Sequence, residues 1–212
     1  MGVAVEFEPA DSGGPQHEKR NAPRFTSLIR AAKLVSAQGE FVCVLRDVSS
    51  TGVRLKCFHR QPTDDVVGLE LQNGEMFEIR KVREDGFEAS YTFLTPVPVE
   101  TLIHANSVFP RRQLRIAMAI PVKLRTLTGV IPAITVNLSQ QGARLEPEGQ
   151  LALAQSVTLE GPHLPAIRAK VRWRREGSCG LVFEDTFTLA DFAVRTARLQ
   201  CPLLVTAGAL GN

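Results

Sequence analysis

Over most of the chain, apolar and polar residues follow the strand period of two rather than the helical period. Phe41-Val42-Cys43-Val44-Leu45 is a short apolar run of strand-forming residues. Val53-Arg54-Leu55-Lys56-Cys57 alternates apolar and basic, as a half-exposed strand does. Val66 to Leu71 continues the pattern, and Asn73-Gly74 offers a tight hairpin turn. Phe77 to Arg83 and Phe87 to Phe93 complete a first series, which Thr95-Pro96-Val97-Pro98 ends. Val99 to Ser107 reads as a short helix or an extended linker. Beyond a turn at Thr128-Gly129, strands are expected at Ile134–Val136, Ala143–Leu145, Val157–Glu160, Ala169–Trp173 and Gly180–Glu184. The period changes only at Thr188-Leu189-Ala190-Asp191, a capping-box-like helix start. Leu189, Phe192, Ala193, Thr196 and Leu199 line one face of that helix, and Pro202 stops it. Short strands at this spacing predict small antiparallel barrels or sandwiches. Residues 1–18 lack periodicity and read as a flexible tail, as do residues 204–212.

The strand series is repeated. Arg20-Asn21-Ala22-Pro23-Arg24 and Arg111-Arg112-Gln113-Leu114-Arg115 are both Arg-x-x-x-Arg, 91 residues apart. Asp47-Val48-Ser49-Ser50-Thr51-Gly52-Val53-Arg54-Leu55 and Asn137-Leu138-Ser139-Gln140-Gln141-Gly142-Ala143-Arg144-Leu145 share Asp/Asn-x-Ser-x-x-Gly-x-Arg-Leu, 90 residues apart. Gly39 and Gly129 match at the same offset of 90. A two-part motif recurring at near-constant spacing indicates a tandem of two similar β-domains. The expected division is 19–97 for the first, 98–110 for a linker, and 111–203 for the second with its C-terminal helix.

Length and composition agree. Two domains of about 100 residues fit the usual range for a chain of 212. No run approaches the roughly 18 apolar residues of a membrane span. The start has neither the basic nor the apolar region of a secretory signal, so a cytoplasmic address without membrane insertion is expected. Cys43, Cys57, Cys179 and Cys201 form no CxxC pair, and the four histidines are scattered, so no metal site is expected. Nothing combines into a catalytic constellation, and the chain is not expected to be an enzyme. Net charge is only +3, but Thr101 to Leu145 contains no acidic residue and six arginines and lysines. Lys19 to Gly39 is also free of acids. Such windows suit a phosphate-bearing partner, and equally a solvated face. Single-stranded nucleic acid is not favoured, because stacking platforms need exposed aromatics. The chain has one Trp and one Tyr.

The paired motifs resemble the PilZ domain family over most of residues 19–200. In that family an RxxxR segment lies in an N-terminal arm and a [D/N]xSxxG segment on the first strands of a six-stranded β-barrel. The resemblance implies two such barrels in tandem. It also implies a bacterial, non-catalytic receptor for cyclic di-GMP, with that dinucleotide as ligand and no cofactor. Arg20, Arg24, Asp47, Ser49 and Gly52 would form the ligand site of the first copy. Arg111, Arg115, Asn137, Ser139 and Gly142 would form that of the second, with Arg112 and Trp173 as further candidates. Arginine suits this ligand because its fork bonds guanine O6 and N7 or a phosphate, and its face stacks on a base. Asp47 or Asn137 offers an acceptor for the N1 and N2 edge of guanine. Ser49 or Ser139 adds a hydroxyl, and Gly52 or Gly142 permits positive φ and close backbone approach. By themselves these Asp/Asn-x-Ser segments also read as turns capping a hairpin. Trp173 reads as packing at a barrel rim or as a base-stacking platform.

In relatives, an arginine just before RxxxR goes with a stacked ligand dimer. Lys19 and Pro110 stand there instead, so the stoichiometry stays open. The resemblance further implies an unidentified downstream protein, reached by reorienting the barrels, with motility or exopolysaccharide as outputs. A homo-oligomer is compatible with it. In the alternative reading, one or both barrels are protein–protein adaptors that use the C-terminal helix.

Overall fold

A computed structural model describes residues 30–103 and 113–205. The first half forms strands β1 (Arg30–Ser36), β2 (Gly39–Val48), β3 (Gly52–Cys57), β4 (Val66–Glu70), β5 (Met76–Asp85) and β6 (Glu88–Phe93). They close into an antiparallel barrel of order β1-β2-β3-β6-β5-β4. Helix α1 (Val99–Ile103) follows and sends Val99 and Leu102 into the barrel core. Arg30 caps it, donating to the Leu102 and Ile103 carbonyls at 2.7 Å each. The expectation of helix or linker for this segment thus resolves to helix as far as Ile103.

The second half repeats the plan. Strand β7 (Ile116–Ala117) leads to β8 (Pro121–Arg125), β9 (Val130–Ser139), β10 (Gly142–Pro147), β11 (Ser156–Glu160), β12 (Ile167–Arg175) and β13 (Ser178–Phe183). The strands β8-β9-β10-β13-β12-β11 close into a ring, and β7 lies against β9. Helix α2 (Leu189–Gln200) starts at Thr188, whose hydroxyl accepts from the Asp191 N–H at 3.1 Å. Pro202 ends it and begins a short 3₁₀ turn to Leu204.

The offset of 90 extends beyond the motifs. It relates β3 to β10, β4 to β11, β6 to β13 and the starts of α1 and α2. It also relates the β-bulges. One in each copy leaves Arg46 or Val136 unpaired, next to Asp47 or Asn137, and another leaves Val82 or Arg172 unpaired.

The two barrels are packed on each other. Phe41, Cys43 and Leu45 of β2 point into the first core, whereas Val42 joins the second. A strand buried on both faces reads as a continuous apolar run, and Phe41–Leu45 is one. Helix α2 is shared in the same way, with Phe192 and Ala193 in the second core and Ala197 in the first. The Arg60 N–H donates to the Leu204 carbonyl at 2.9 Å, tying the turn after α2 to the first barrel. So the helix that the alternative adaptor reading would use for docking is the seam between the two barrels of this chain.

His59 is fully buried against Phe41, with ring centroids 5.2 Å apart, and burial holds its pKa below the usual imidazole range. The unfolded chain takes up that proton near pH 6.5, and the folded chain resists it. His59 therefore contributes stability that is intact above about pH 6.5 and lost as the pH falls. Urea unfolding at pH 7.5 and 5.5 checks this, and His59→Phe is expected to reduce the loss between the two.

Candidate functional site

The second copy brings one residue from each of its two motif segments, Arg115 and Asn137, together on one face. Leu114, Ile116 and Met118 plug into the second core, so Arg115 and Ala117, which alternate with them, face outward. Ala117 lies opposite Asn137, and the Arg115 guanidinium donates to the Asn137 side-chain carbonyl at 3.2 Å. The end of Arg-x-x-x-Arg and the start of Asn-x-Ser-x-x-Gly are therefore in contact. Arg20, Arg24, Arg111 and Arg112 lie outside the described residues.

Register extends the face across the sheet. Asn137 pairs with Arg144, Arg144 with Gly180, and Gly180 with Trp173. Arg144 is outward and donates to the Ser178 hydroxyl at 3.2 Å. Trp173 is 37% exposed, with its indole over Gly180, where a Cβ would lie 2.0 Å from Nε1. Arg115, Asn137, Arg144 and Trp173 thus form one row, with Arg172 and Arg174 exposed on either side of the tryptophan. Among the described residues neither Arg115 nor Arg144 has a carboxylate partner. The row combines guanidinium forks, an amide and an indole face, which are the groups that bind a phosphate or a purine edge and stack on a base.

The serine and glycine of each motif build the turn. The Ser139 hydroxyl donates to the Gly142 carbonyl at 3.1 Å. The Ser49 hydroxyl donates to the Gly52 carbonyl at 3.3 Å and accepts from the Gly52 N–H at 3.1 Å. Neither glycine takes the positive φ that a missing side chain permits; the close approach it also permits is what the structure uses. Gly142 is needed for close approach to the neighbouring strand, because a Cβ there would lie 2.2 Å from the Leu181 carbonyl oxygen. Gly52 is less constrained, at 3.0 Å from the Tyr91 carbonyl oxygen.

The first copy has the same framework and different charges. The equivalent row is Asp47, Arg54, Ser90 and Arg83. Arg54 is held by Glu88 at 2.5 Å and lies 4.0 Å from Asp47. Asp47, Ser49, Gly52, Val82 and Ser90 line a depression of about 300 Å³. Where the second copy has Gly180 beneath Trp173, the first has Ser90 beside Arg83, so tryptophan and glycine change together. A larger depression, about 660 Å³, opens at the far end of β10 near Leu151, Leu153 and Arg175. It holds none of the predicted site residues.

The sequence reading passed over Arg144, Ser178 and Gly180. On the strand period alone Arg144 is an outward-facing surface position, and only the register reveals that it lies between Asn137 and Trp173. Its recurrence as Arg54 in the first copy was the available signal.

Residues 109–193 match the PilZ domain family, a span covering the whole second barrel, the strand before it and the first turn of α2. No curated protein matches the chain. Among solved structures, the chain is similar to PlzA of Borreliella burgdorferi in complex with c-di-GMP, at 11% identity, covering 80% of this chain and 86% of that one, with a TM-score of 0.34. It is also similar to the inhibitor of motility MotI/DgrA of Bacillus subtilis, at 13% identity, covering 84% and 98%, with a TM-score of 0.35. MrkH of K. pneumonia in its apo state gives 13% identity, 82% and 86% coverage, and a TM-score of 0.35.

Two substitutions test this geometry. Gly142→Ala forces a methyl group into the Leu181 carbonyl and is expected to cost about 1–3 kcal/mol in denaturant unfolding, more than Gly52→Ala costs. Gly180→Ala is expected to displace the only tryptophan of the chain, shifting its fluorescence to longer wavelength while the far-ultraviolet circular dichroism is retained.

Proposed function

We propose that this chain, whose residues 109–193 match the PilZ domain family, is a non-catalytic bacterial receptor for cyclic di-GMP and that its second barrel holds the main site. The observation that carries the reading is the contact between Arg115 and Asn137, which joins the two halves of the motif at one place. Arg111 and Arg115 would take guanine or phosphate with their forks. Asn137 would accept from a guanine edge, and Trp173 would stack on a base. Arg112 and Arg144 add positive charge for the phosphates. Ser139 and Gly142 serve the site by fixing the turn that presents Asn137.

The first barrel would bind more weakly. Its acceptor is the carboxylate Asp47, and its Arg54 is already paired with Glu88. An anionic dinucleotide must displace or oppose those carboxylates, whereas Asn137 and Ser178 present no charge at the same places. Arg20 and Arg24, with Asp47, Ser49 and Gly52, remain the groups through which that barrel would take a second ligand. A role as a protein-docking barrel is the second reading for the first copy, favoured by the same ion pairs.

Ligand held between the arm and the second barrel would change how the two barrels sit together, and the altered surface would meet a downstream protein. Motility and exopolysaccharide are the outputs this reading favours. X-ray scattering with and without ligand tests the transmission step; identical profiles at saturating ligand would remove it.

Calorimetric titration with cyclic di-GMP tests the receptor. Arg115→Ala is expected to weaken binding roughly ten- to hundredfold, the scale of lost charge-assisted hydrogen bonds. Arg24→Ala is expected to leave the tighter binding event in place. The absence of heat and of any thermal shift at high ligand would overturn the receptor reading.

A further inference from the structure

We propose that Glu40, on the first barrel, is a positioning residue for Arg115 on the second, so that the second site is complete only when the first barrel is docked against it. The proposal rests on the receptor reading above and deepens it.

The hydrogen bonding of β7 carries the inference. Met118 donates its N–H to the Val136 carbonyl of β9 at 3.3 Å. The N–H of Ala117, one residue earlier, points the other way, because alternate backbone groups of a strand face opposite sides. Its acceptor is the Glu40 carboxylate, Oε2, at 2.6 Å, from a residue 77 positions away on the other barrel. Ala117 stands two residues after Arg115 and shares its outward side. A carboxylate gripping this N–H therefore fixes the backbone that aims the Arg115 guanidinium at Asn137.

Glu40 is itself held from two directions. Lys33, only 6% exposed, lies 3.1 Å from Oε2 and 2.8 Å from Glu70. Gln200 of α2 clamps the Glu40 backbone, accepting from its N–H at 2.9 Å and donating to its carbonyl at 2.6 Å. The turn before Glu40 makes room for that side chain. Gly39 takes φ +133°, and a Cβ there would lie 2.6 Å from Gln200 Oε1.

The repeat shows that the fold of one barrel does not require this arrangement. Ninety residues on, Lys33 and Glu70 recur as Lys123 and Glu160, again opposite each other on adjacent strands. Glu40 recurs as Val130, which is exposed, and Gly129 has nothing within 4 Å of its Cβ position. The glutamate and its crowded glycine are found in the first copy, on the strand whose outer face meets the second barrel.

The test uses the full chain with Glu40→Ala, Glu40→Gln and Arg115→Ala, titrated with cyclic di-GMP. Amide exchange at Ala117 is measured in parallel without ligand. Glu40→Ala is expected to expose the Ala117 amide to faster exchange and to weaken binding on the order of five- to tenfold, the scale of one charge-assisted hydrogen bond. Glu40→Gln keeps an oxygen acceptor and is expected to recover most of both. Wild-type affinity in Glu40→Ala alongside loss of binding in Arg115→Ala would overturn the proposal, as would equal weakening in the alanine and glutamine variants. If the wild type binds no ligand, the receptor reading fails. The exchange rate then decides whether Glu40 holds the arm, and an unchanged rate in Glu40→Ala overturns that too.

Discussion

Strand β2 is buried on both sides, and the arrangement of the chain follows from it. Phe41, Cys43 and Leu45 fill the first barrel while Val42 fills the second. Two barrels sharing a strand face in this way cannot separate without exposing apolar surface, at a cost of about 25 cal/mol for each Å². Helix α2 completes the seam by placing Ala197 in one core and Phe192 in the other. The polar clamp of Glu40 and Gln200 lies at the start of the same strand and gives the apolar contact a direction. Under the proposed reading, a ligand on the second barrel would act on an interface that is already built and registered.

The repeat supplies the frame, and its departures supply the specialisation. Bulges, turn serines and turn glycines recur at constant spacing because the barrel needs them. Asn137, Ser178, Gly180 and Trp173 stand where the first copy has Asp47, Glu88, Ser90 and Arg83. Those four exchanges turn a face held by internal ion pairs into one whose guanidinium groups, among the described residues, meet only an amide and a hydroxyl, beside an exposed indole. Glu40 shows the opposite departure, a charge found in the first copy, where β2 meets the second barrel, and replaced by Val130 in the other. One repeated frame thus carries two differently charged faces.

Much of this was legible in the sequence, for physical reasons. Half-buried strands alternate, so Val53–Cys57, Ala169–Trp173 and their neighbours declared themselves. The Thr188 cap and Pro202 bounded α2 to within a residue. Strand β1 did not stand out, because its Ala31, Ala32 and Lys33 break the apolar rhythm, and Lys33 is buried only through its partners in the tertiary fold. Strand β8 was passed over although Val122 and Leu124 alternate with Lys123 and Arg125. The docking role of α2 could not be read, since a helix face tells what is apolar and not which barrel covers it. The motif residues were found by recurrence. Their neighbours in space, Arg144 and Gly180, needed the strand register.

The central claim is that ligand settles on the row ending at Trp173. The most direct measurement follows the single indole N–H of the chain by two-dimensional NMR as cyclic di-GMP is added. The account predicts that the Trp173 indole resonance shifts and saturates together with the Asn137 side-chain amide. A Trp173 signal that stays in place at saturating ligand, while resonances around Asp47 and Ser90 move, would contradict it.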